Sequence, residues 1–556
     1  MKLFNKSKQK YSPEELRARR KDRLILILSG LLCGLSFSPF PVPFQLLLLA
    51  GLTPLLSVIE KKKTLLEINR SVYLFAFVFS LFTLYWVGSW QANADPFLMV
   101  SGVLLVFVNP VFFLIPSTLY YYSRKVISEK FALYLLPVFW VTYEYLYMAT
   151  EAAFPWLTLG NGLAKFTVMI QIADIIGAVG LSLIIVLINV LLYKAFKYYD
   201  TNRRSSYLNY FTALFILSFW IGYGISKVTN YTPPAKKIRI GIVQPNLDPW
   251  DKWSGANLFA TLNQYTTLSS QAVNKKADLL LWPETALPVY LLSGNYTGVV
   301  DSIYSYIRRN NIFLLTGMPH FILYKDKDNH PDDAKYSKAS DYYYSTYNAV
   351  MLFSPYTSDI PFYGKQRLVP FGERVPFASS LPFIADLVKW GVGISGWNIG
   401  RDTTIFTVKA GNTTAKISGL VCYESIFPYF IDRFVQKGAE MFVVVTNDSW
   451  YGNSSGPRQH YDFSALRAVE YRRTVVHAAN GGISGIIDPM GKSAVQSNMF
   501  EQSVLTGDAV LNNNITVFAK FPMLIPDLCG AFSIWVAGMY LLMYLKLKFN
   551  LQKKDE

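Results

Sequence analysis

Eight apolar runs limit what this chain can become. Seven fall in the first 225 residues, at roughly 24–40, 43–59, 73–90, 97–122, 131–149, 168–193 and 208–225, and the eighth at about 521–545. Each is near the ~20 residues that a helix needs to cross the hydrocarbon of a bilayer. Hydrocarbon offers no water to stray backbone groups, so an apolar run that enters it must close its hydrogen bonds as a helix. An eight-helix membrane bundle carrying a soluble part is expected, and a composition of 52% hydrophobic and 16% charged residues agrees. The first run has a long basic leader and no small-residue cleavage site before the second, which marks it as an uncleaved span rather than a signal peptide.

The formal charge of +16 could suggest nucleic acid if it lay on one face. Instead it sits in short clusters beside the apolar runs, as anionic headgroups and topology signals require. The N-terminus, Lys61–Lys63 with Arg70, Arg124 with Lys125, Arg203 with Arg204, and Lys546 to Lys554 all fall on one side if the spans alternate. The opposite loops, "PVP", "QANADP" and "TEAAFPWLTLGNGLAKF", hold one basic residue, Lys165. By the positive-inside rule both termini are cytoplasmic, and residues 226–520 form an extracytoplasmic domain between a bundle at 1–225 and a last helix and tail at 521–556.

Of three cysteines, Cys33 and Cys529 lie inside apolar spans, so Cys422 stands alone in the external domain. No disulfide can form there, and a lone thiol in an oxidising compartment is either buried or used. From Ile238 the sequence alternates short β-rich runs with helical stretches: "IRIGIVQ", "ADLLLWPE", "NIFLLTG", "YNAVMLF", "AKISGLVC", "EMFVVVTN", "TVVHAAN" and "ISGIIDPMGK", with helix candidates at 255–273, 299–310, 424–436 and 457–473. This is an α/β pattern, in which sites sit past strand ends. Three strand ends carry reactive groups. Glu284 follows "LLLWP", Lys365 and Glu373 share the loop "YGKQRLVPFGERVPF", and Cys422 lies at a strand-to-helix junction. A helix N-terminus and a nearby ammonium would both favour the thiolate of Cys422. A carboxylate can take a thiol proton, and a lysine can stabilise an oxyanion.

The order WPE, K-x-x-L-V-P-F-G-E and C-Y-E, followed by "NDSWYGNSSGPRQHYDFSALRAVEYRR", resembles the carbon–nitrogen hydrolase (nitrilase) superfamily and, within it, the membrane-embedded apolipoprotein N-acyltransferases of bacteria. "FPWLTLG" and the "VQPN…KW" start of the external domain extend the likeness over nearly the whole chain. The resemblance implies an αββα sandwich, with Glu284 as general base, Lys365 as transition-state stabiliser and Cys422 as nucleophile. It also implies supporting or substrate-binding roles for Trp253, Glu373, Tyr423 and Glu424. "HAANGG" departs from a Thr-Asn pattern usual there, and the tyrosine-rich insert at 323–346 is longer than expected.

The implied reaction transfers an acyl chain from a membrane phospholipid, through a cysteine thioester, to the α-amine of the diacylglyceryl-cysteine of lipoproteins. The implied place is the bacterial inner membrane, with the catalytic domain in the periplasm. A monomer is expected, without cofactor, metal or nucleic acid: no glycine-rich phosphate loop opens a helix, and His320, His330, His460 and His477 lack zinc-site spacing. "GNSSG" matches G-x-S-x-G and nominates Ser454 with His460 nearby, but the nucleophile elbow needs a strand running straight into the serine, and "NDSWY" intervenes. The stretch "FASSLPFIADLVKWGVGISGW" could be a membrane-contacting arm or buried core. A scaffold with an inactive nitrilase fold, or an amidase that passes its acyl group to water, are the alternatives the residues leave open.

Overall fold

The computed structural model describes residues 12–91, 94–253, 257–325, 329–377 and 396–555. The "FASSLPF" stretch lies almost wholly outside them. Among the described residues five helices are long and apolar enough to cross a membrane: Leu65–Gly88, Pro96–Val126, Ala173–Tyr198, Arg203–Thr229 and Leu524–Phe549. The other three apolar runs are helical in shorter or broken form. The run at 24–40 ends the helix Pro13–Gly34; that at 43–59 splits into Phe44–Leu47, Leu48–Gly51 and Thr53–Ile59; that at 131–149 becomes the 3-10 turn Ala132–Leu135 and the helix Leu136–Ala149. Proline sets two of the restarts, Pro54 and Pro137 each standing in a first turn, where the missing N–H costs nothing. Polar caps, in turn, start helices ahead of their apolar runs. Thr64 and Glu67 form a capping box that moves one start back to Leu65.

Thirteen strands follow among the described residues. β1 (Lys237–Gln244), β2 (Leu279–Trp282), β3 (Phe313–Tyr324), β4 (Lys335–Ser337), β5 (Tyr342–Phe353), β6 (Phe362–Gly364) and β13 (Ser503–Val510) form one sheet. Its order is β13-β1-β2-β3-β5-β4, with β6 also on β5. β7 (Phe406–Ala410), β8 (Thr413–Val421), β9 (Met441–Thr446), β10 (Thr474–Ala479), β11 (Gly485–Ile487) and β12 (Ser493–Gln496) form the second, in the order β12-β11-β10-β9-β8-β7. β1-β2-β3 and β8-β9-β10 run parallel, so their outer ends align. β1 also pairs antiparallel with β13, Lys237 opposite Val510.

The sheets pack face to face through Ile240, Ile242, Leu281 and Leu315 on one side and Leu420, Val443 and Val476 on the other. Helices Leu258–Asn274 and Thr297–Asn310 cover the outside of the first sheet, and Ser455–Tyr471 and Pro428–Gln436 that of the second. This is a nitrilase-like αββα sandwich. Its second outer layer is also its floor: Gln459 accepts from Trp86 Nε1 (3.2 Å) and Trp156 Nε1 (2.7 Å), and Arg472 pairs with Asp174 at 2.8 Å. One continuous apolar core runs from the helical region into the sandwich. The tyrosine-rich insert extends β3 and β5 into a long antiparallel ladder, Tyr324 opposite Tyr343, with β4 at its edge.

Candidate active site

β2 ends at Trp282, and Glu284 turns inward two residues later. Gly317 on β3 permits that turn: a Cβ there would stand 2.6 Å from Glu284 Cα. Glu284 Oε1 accepts from Asn348 Nδ2 at 2.7 Å, and Oε2 from the backbone N–H of Asn447 at 2.9 Å. Asn348 donates also to Glu373 Oε1, at 3.1 Å. Lys365 follows β6 and is 1% exposed. Its Nζ lies 2.8 Å from Glu373 Oε2 and 3.6 Å from Glu284 Oε1. Cys422 follows β8 in a 3-10 turn, Cys422–Ile426, with φ +50°, the left-handed region that β-strand geometry cannot continue. All three reactive groups line one cavity of about 250 Å³.

Charge and burial set the protonation pattern. Burial raises the Glu284 carboxyl, against the Lys365 ammonium that lowers it. For Lys365 burial acts downward but is outweighed by Glu373 and Glu284, which hold it above the usual lysine range. Burial, then the Glu284 charge, push the Cys422 thiol well up, and Lys365 opposes them only in part. One of the two supports expected for a thiolate is missing. The helix proper begins only at Pro428, so Cys422 has no helix N-terminus to favour its anion.

The remaining family positions divide into two kinds. Trp253 lines the cavity, its Nε1 buried without a hydrogen-bond partner among the described residues, and Glu373 is the counter-ion of Lys365. Tyr423 and Glu424 instead hold the turn. The Tyr423 hydroxyl donates to the Ala153 carbonyl of the helical region, and its ring stacks on Phe154. Fully buried Glu424 accepts at Oε1 from the Tyr363 hydroxyl (2.7 Å) and the N–H groups of Gln366 (2.6 Å) and Arg367 (3.2 Å), and at Oε2 from Val421 N–H (2.8 Å). It clamps the Lys365 loop to the Cys422 turn.

Four groups at the site escaped sequence reasoning. Asn348 had a signal, a polar residue inside the apolar run of β5. Asn447 and Asp448, in "NDSW" after β9, carried the same strand-end signal as Glu284. Lys252 had only its place in the "KW" of the family likeness: its Nζ reaches the Glu284 carbonyl at 3.3 Å, and burial lowers its pKa to about 7 despite the Glu284 charge. His460 Nδ1 lies 2.9 Å from Asp448 Oδ1, and its Nε2 is 2.8 Å from Ser425 Oγ and 3.2 Å from the Cys422 carbonyl. Ligand-capable atoms of Cys422, Asp448 and His460 lie within 4.8 Å of one another. Both imidazole nitrogens are already engaged, which makes the group a brace beneath the turn. Ser454 caps the helix Ser455–Tyr471, its Oγ accepting from Gly456 N–H at 3.3 Å, and the 3-10 turn Asp448–Tyr451 separates it from β9. It is no elbow.

The far wall of the cavity comes from the apolar helix Pro96–Phe112. Leu98, Ser101, Leu104, Leu105, Val108 and Phe112 line it, and Leu104 and Val108 are also 47% and 43% exposed on the flank of the molecule. The cavity thus runs from Glu284, Lys365 and Cys422 to an exposed apolar flank.

A two-sheet sandwich with cysteine, glutamate and lysine gathered at one cavity, seated on apolar helices, defines a carbon–nitrogen hydrolase fold built onto an apolar helical region. Residues 29–191 match the family model of the apolipoprotein N-acyltransferase N-terminal domain, and residues 239–514 that of carbon-nitrogen hydrolase. The chain is 33% identical to the apolipoprotein N-acyltransferase of Chlorobaculum tepidum, over 92% of this chain and 95% of the relative. It is 31% identical to that of Geobacter metallireducens, over 94% and 95%. An amidase of the nitrilase superfamily from Nesterenkonia overlays 50% of this chain and 93% of its own, with 18% identity and a TM-score of 0.33; the fold rests on the strand order and the family match. The chain belongs to the apolipoprotein N-acyltransferase family.

Proposed function

We propose that the protein transfers an acyl chain from a membrane phospholipid to the N-terminal amine of lipoproteins by way of a thioester on Cys422. The cavity carries this reading, because its floor holds Glu284, Lys365 and Cys422 and its wall is the lipid-facing helix Pro96–Phe112. In the first half-reaction Glu284 takes the Cys422 proton as sulfur attacks the ester carbonyl. Lys365 faces the resulting oxyanion. Collapse breaks the ester C–O bond, and the leaving alkoxide of the lysophospholipid takes the proton from Glu284. In the second, the α-amine attacks the thioester, Glu284 receives its proton, and the departing sulfur regains it. Trp253 is placed to contact substrate; Tyr423, Glu424 and the Asp448–His460 pair position the turn.

Loop charge supports the topology that goes with this chemistry: eight spans, both termini cytoplasmic, and a domain at 226–520 outside, between a bundle at 1–225 and a last helix and tail at 521–556. Both substrates are tethered in the bilayer, which suits a monomer whose cavity opens sideways. Intact-mass analysis after incubation with phospholipid, before and after neutral hydroxylamine, tests the intermediate. One hydroxylamine-labile acyl chain per protein is expected, and none on Cys422→Ala. Full transfer activity with Cys422 never modified would overturn the scheme.

A further inference from the structure

A second cavity, of about 410 Å³, shares no lining residue with the first. Tyr145, near the end of helix Leu136–Ala149, and Met523, just before the last helix, form one side of it; Arg367, Phe427, Phe430 and Arg433 of the sandwich form the other. It therefore lies at the junction of helix ends and sandwich, the level of lipid headgroups. Arg367 stands over the Phe427 ring at 5.4 Å and Arg433 over Phe430 at 4.7 Å. Each guanidinium is backed by an apolar plane that leaves its N–H edges to face outward.

Neither arginine has an ion-pair partner among the described residues, whereas Arg239, Arg401, Arg467 and Arg472 each have a carboxylate. Three carboxylates stand near them in the chain or the fold without forming an ion pair with either: Asp432, which accepts from Gln436 at 3.3 Å, Glu151, which accepts from the Phe377 N–H at 2.8 Å, and Glu424, which takes the backbone N–H of Arg367 at 3.2 Å. Arg433 donates to Gln366 Oε1 at 2.7 Å, which leaves further N–H groups for a ligand. Two guanidiniums that line one cavity without an ion pair suit an oxyanion bound through several charge-assisted hydrogen bonds.

We infer that this cavity binds the phosphate of a membrane lipid headgroup between Arg367 and Arg433. The inference stands apart from the donor reading, since it needs the phosphate of a lipid and not its ester. The shared chemistry is a phosphate anion. The position beside helix ends favours a lipid over a soluble phosphate.

The test uses full-length Cys422→Ala protein, which cannot turn over, and native mass spectrometry to count bound lipids and follow their affinities. The probes are dihexanoylphosphatidylglycerol, dihexanoylglycerol, which lacks the phosphate, and inorganic phosphate. The phosphate-bearing lipid is expected to fill one site more than dihexanoylglycerol does. Arg367→Gln with Arg433→Gln should abolish that extra site, or weaken it by about tenfold or more, the scale of losing charge-assisted hydrogen bonds. Arg433→Gln alone, on an exposed side chain, should weaken it by at least about threefold, and Arg433→Lys by less. Equal occupancy in wild type and in a folded Arg433→Gln protein would overturn the proposal. Displacement of the lipid by inorganic phosphate at equal concentration would overturn the lipid assignment and leave a soluble phosphate as the ligand.

Discussion

Replacing Glu424 with glutamine changes one oxygen to an amide nitrogen at the point where the Lys365 loop meets the Cys422 turn. Four donors converge on the native carboxylate, three at Oε1 and Val421 N–H at Oε2. If the glutamine oxygen keeps the three, its NH2 must face Val421 N–H, donor against donor. That removes one hydrogen bond to a charged group, about 1.5–3 kcal/mol, and strands a buried N–H at about 1–3 kcal/mol. A loss near 3 kcal/mol in holding cysteine against lysine is about 10²-fold in rate. Single-turnover thioester formation, followed by intact mass in Glu424→Gln beside wild type, reads that rate; thermal melting reports whether the fold survives. Tyr363→Phe serves as the control, since it removes one phenolic donor and leaves the backbone donors in place. Its rate should fall by no more than about tenfold. A folded Glu424→Gln protein that acylates at the wild-type rate would refute the clamp.

In the proposed scheme Glu284 is a base only when ionised, and burial raises its pKa. Acylation should therefore fall as pH is lowered, with a midpoint above the ordinary ~4.3 of glutamate, and Glu284→Gln should be inactive at every pH. Leu104→Trp, which fills the lipid-side wall, should slow acylation from long-chain phospholipids far more than from short-chain ones in a chain-length series. His460→Ala should lower kcat by about 10–100-fold with KM little changed, because losing its contacts to Ser425 and the Cys422 carbonyl costs about 1–3 kcal/mol of order; partial rescue by His460→Asn marks positioning, and an unchanged kcat would refute it. Ser454→Ala should cost about 0.5–2 kcal/mol in a melting assay as a lost helix cap, with acylation intact. An inactive, folded Ser454→Ala would reopen the serine reading.

Where burial is complete on both faces, strands were legible as unbroken apolar runs: "LLLW" and "MFVVVT" became β2 and β9 almost to the residue. β7, β12 and β13 have exposed or half-exposed positions and no such run, and so left little trace. Helix Pro428–Gln436 was expected from 424, but the residues after Cys422 make a separate 3-10 turn that Glu424 ties across. Glu284, Lys365 and Cys422 could be found because each follows a strand. The burial that pushes the Cys422 thiol up could not, since it depends on how three strand ends come together. Lys252 and His460 act through partners far along the chain, and a sequence pattern carries no such pairing. Apolar helices were easier to place than to bound, because apolarity marks the run while caps such as Thr64 decide where the helix begins.

The pairing of β1 with β13 also governs the order in which the molecule can be made. β1 is the first strand synthesised after the helix Arg203–Thr229, and β13 the last before Leu524–Phe549. Until Ser503–Val510 has been made, β1 has an open edge, the kind of surface that recruits foreign strands. Closing so long a loop is slow. A truncation that spares every reactive side chain but removes β13 should therefore yield an aggregating protein rather than a weak enzyme.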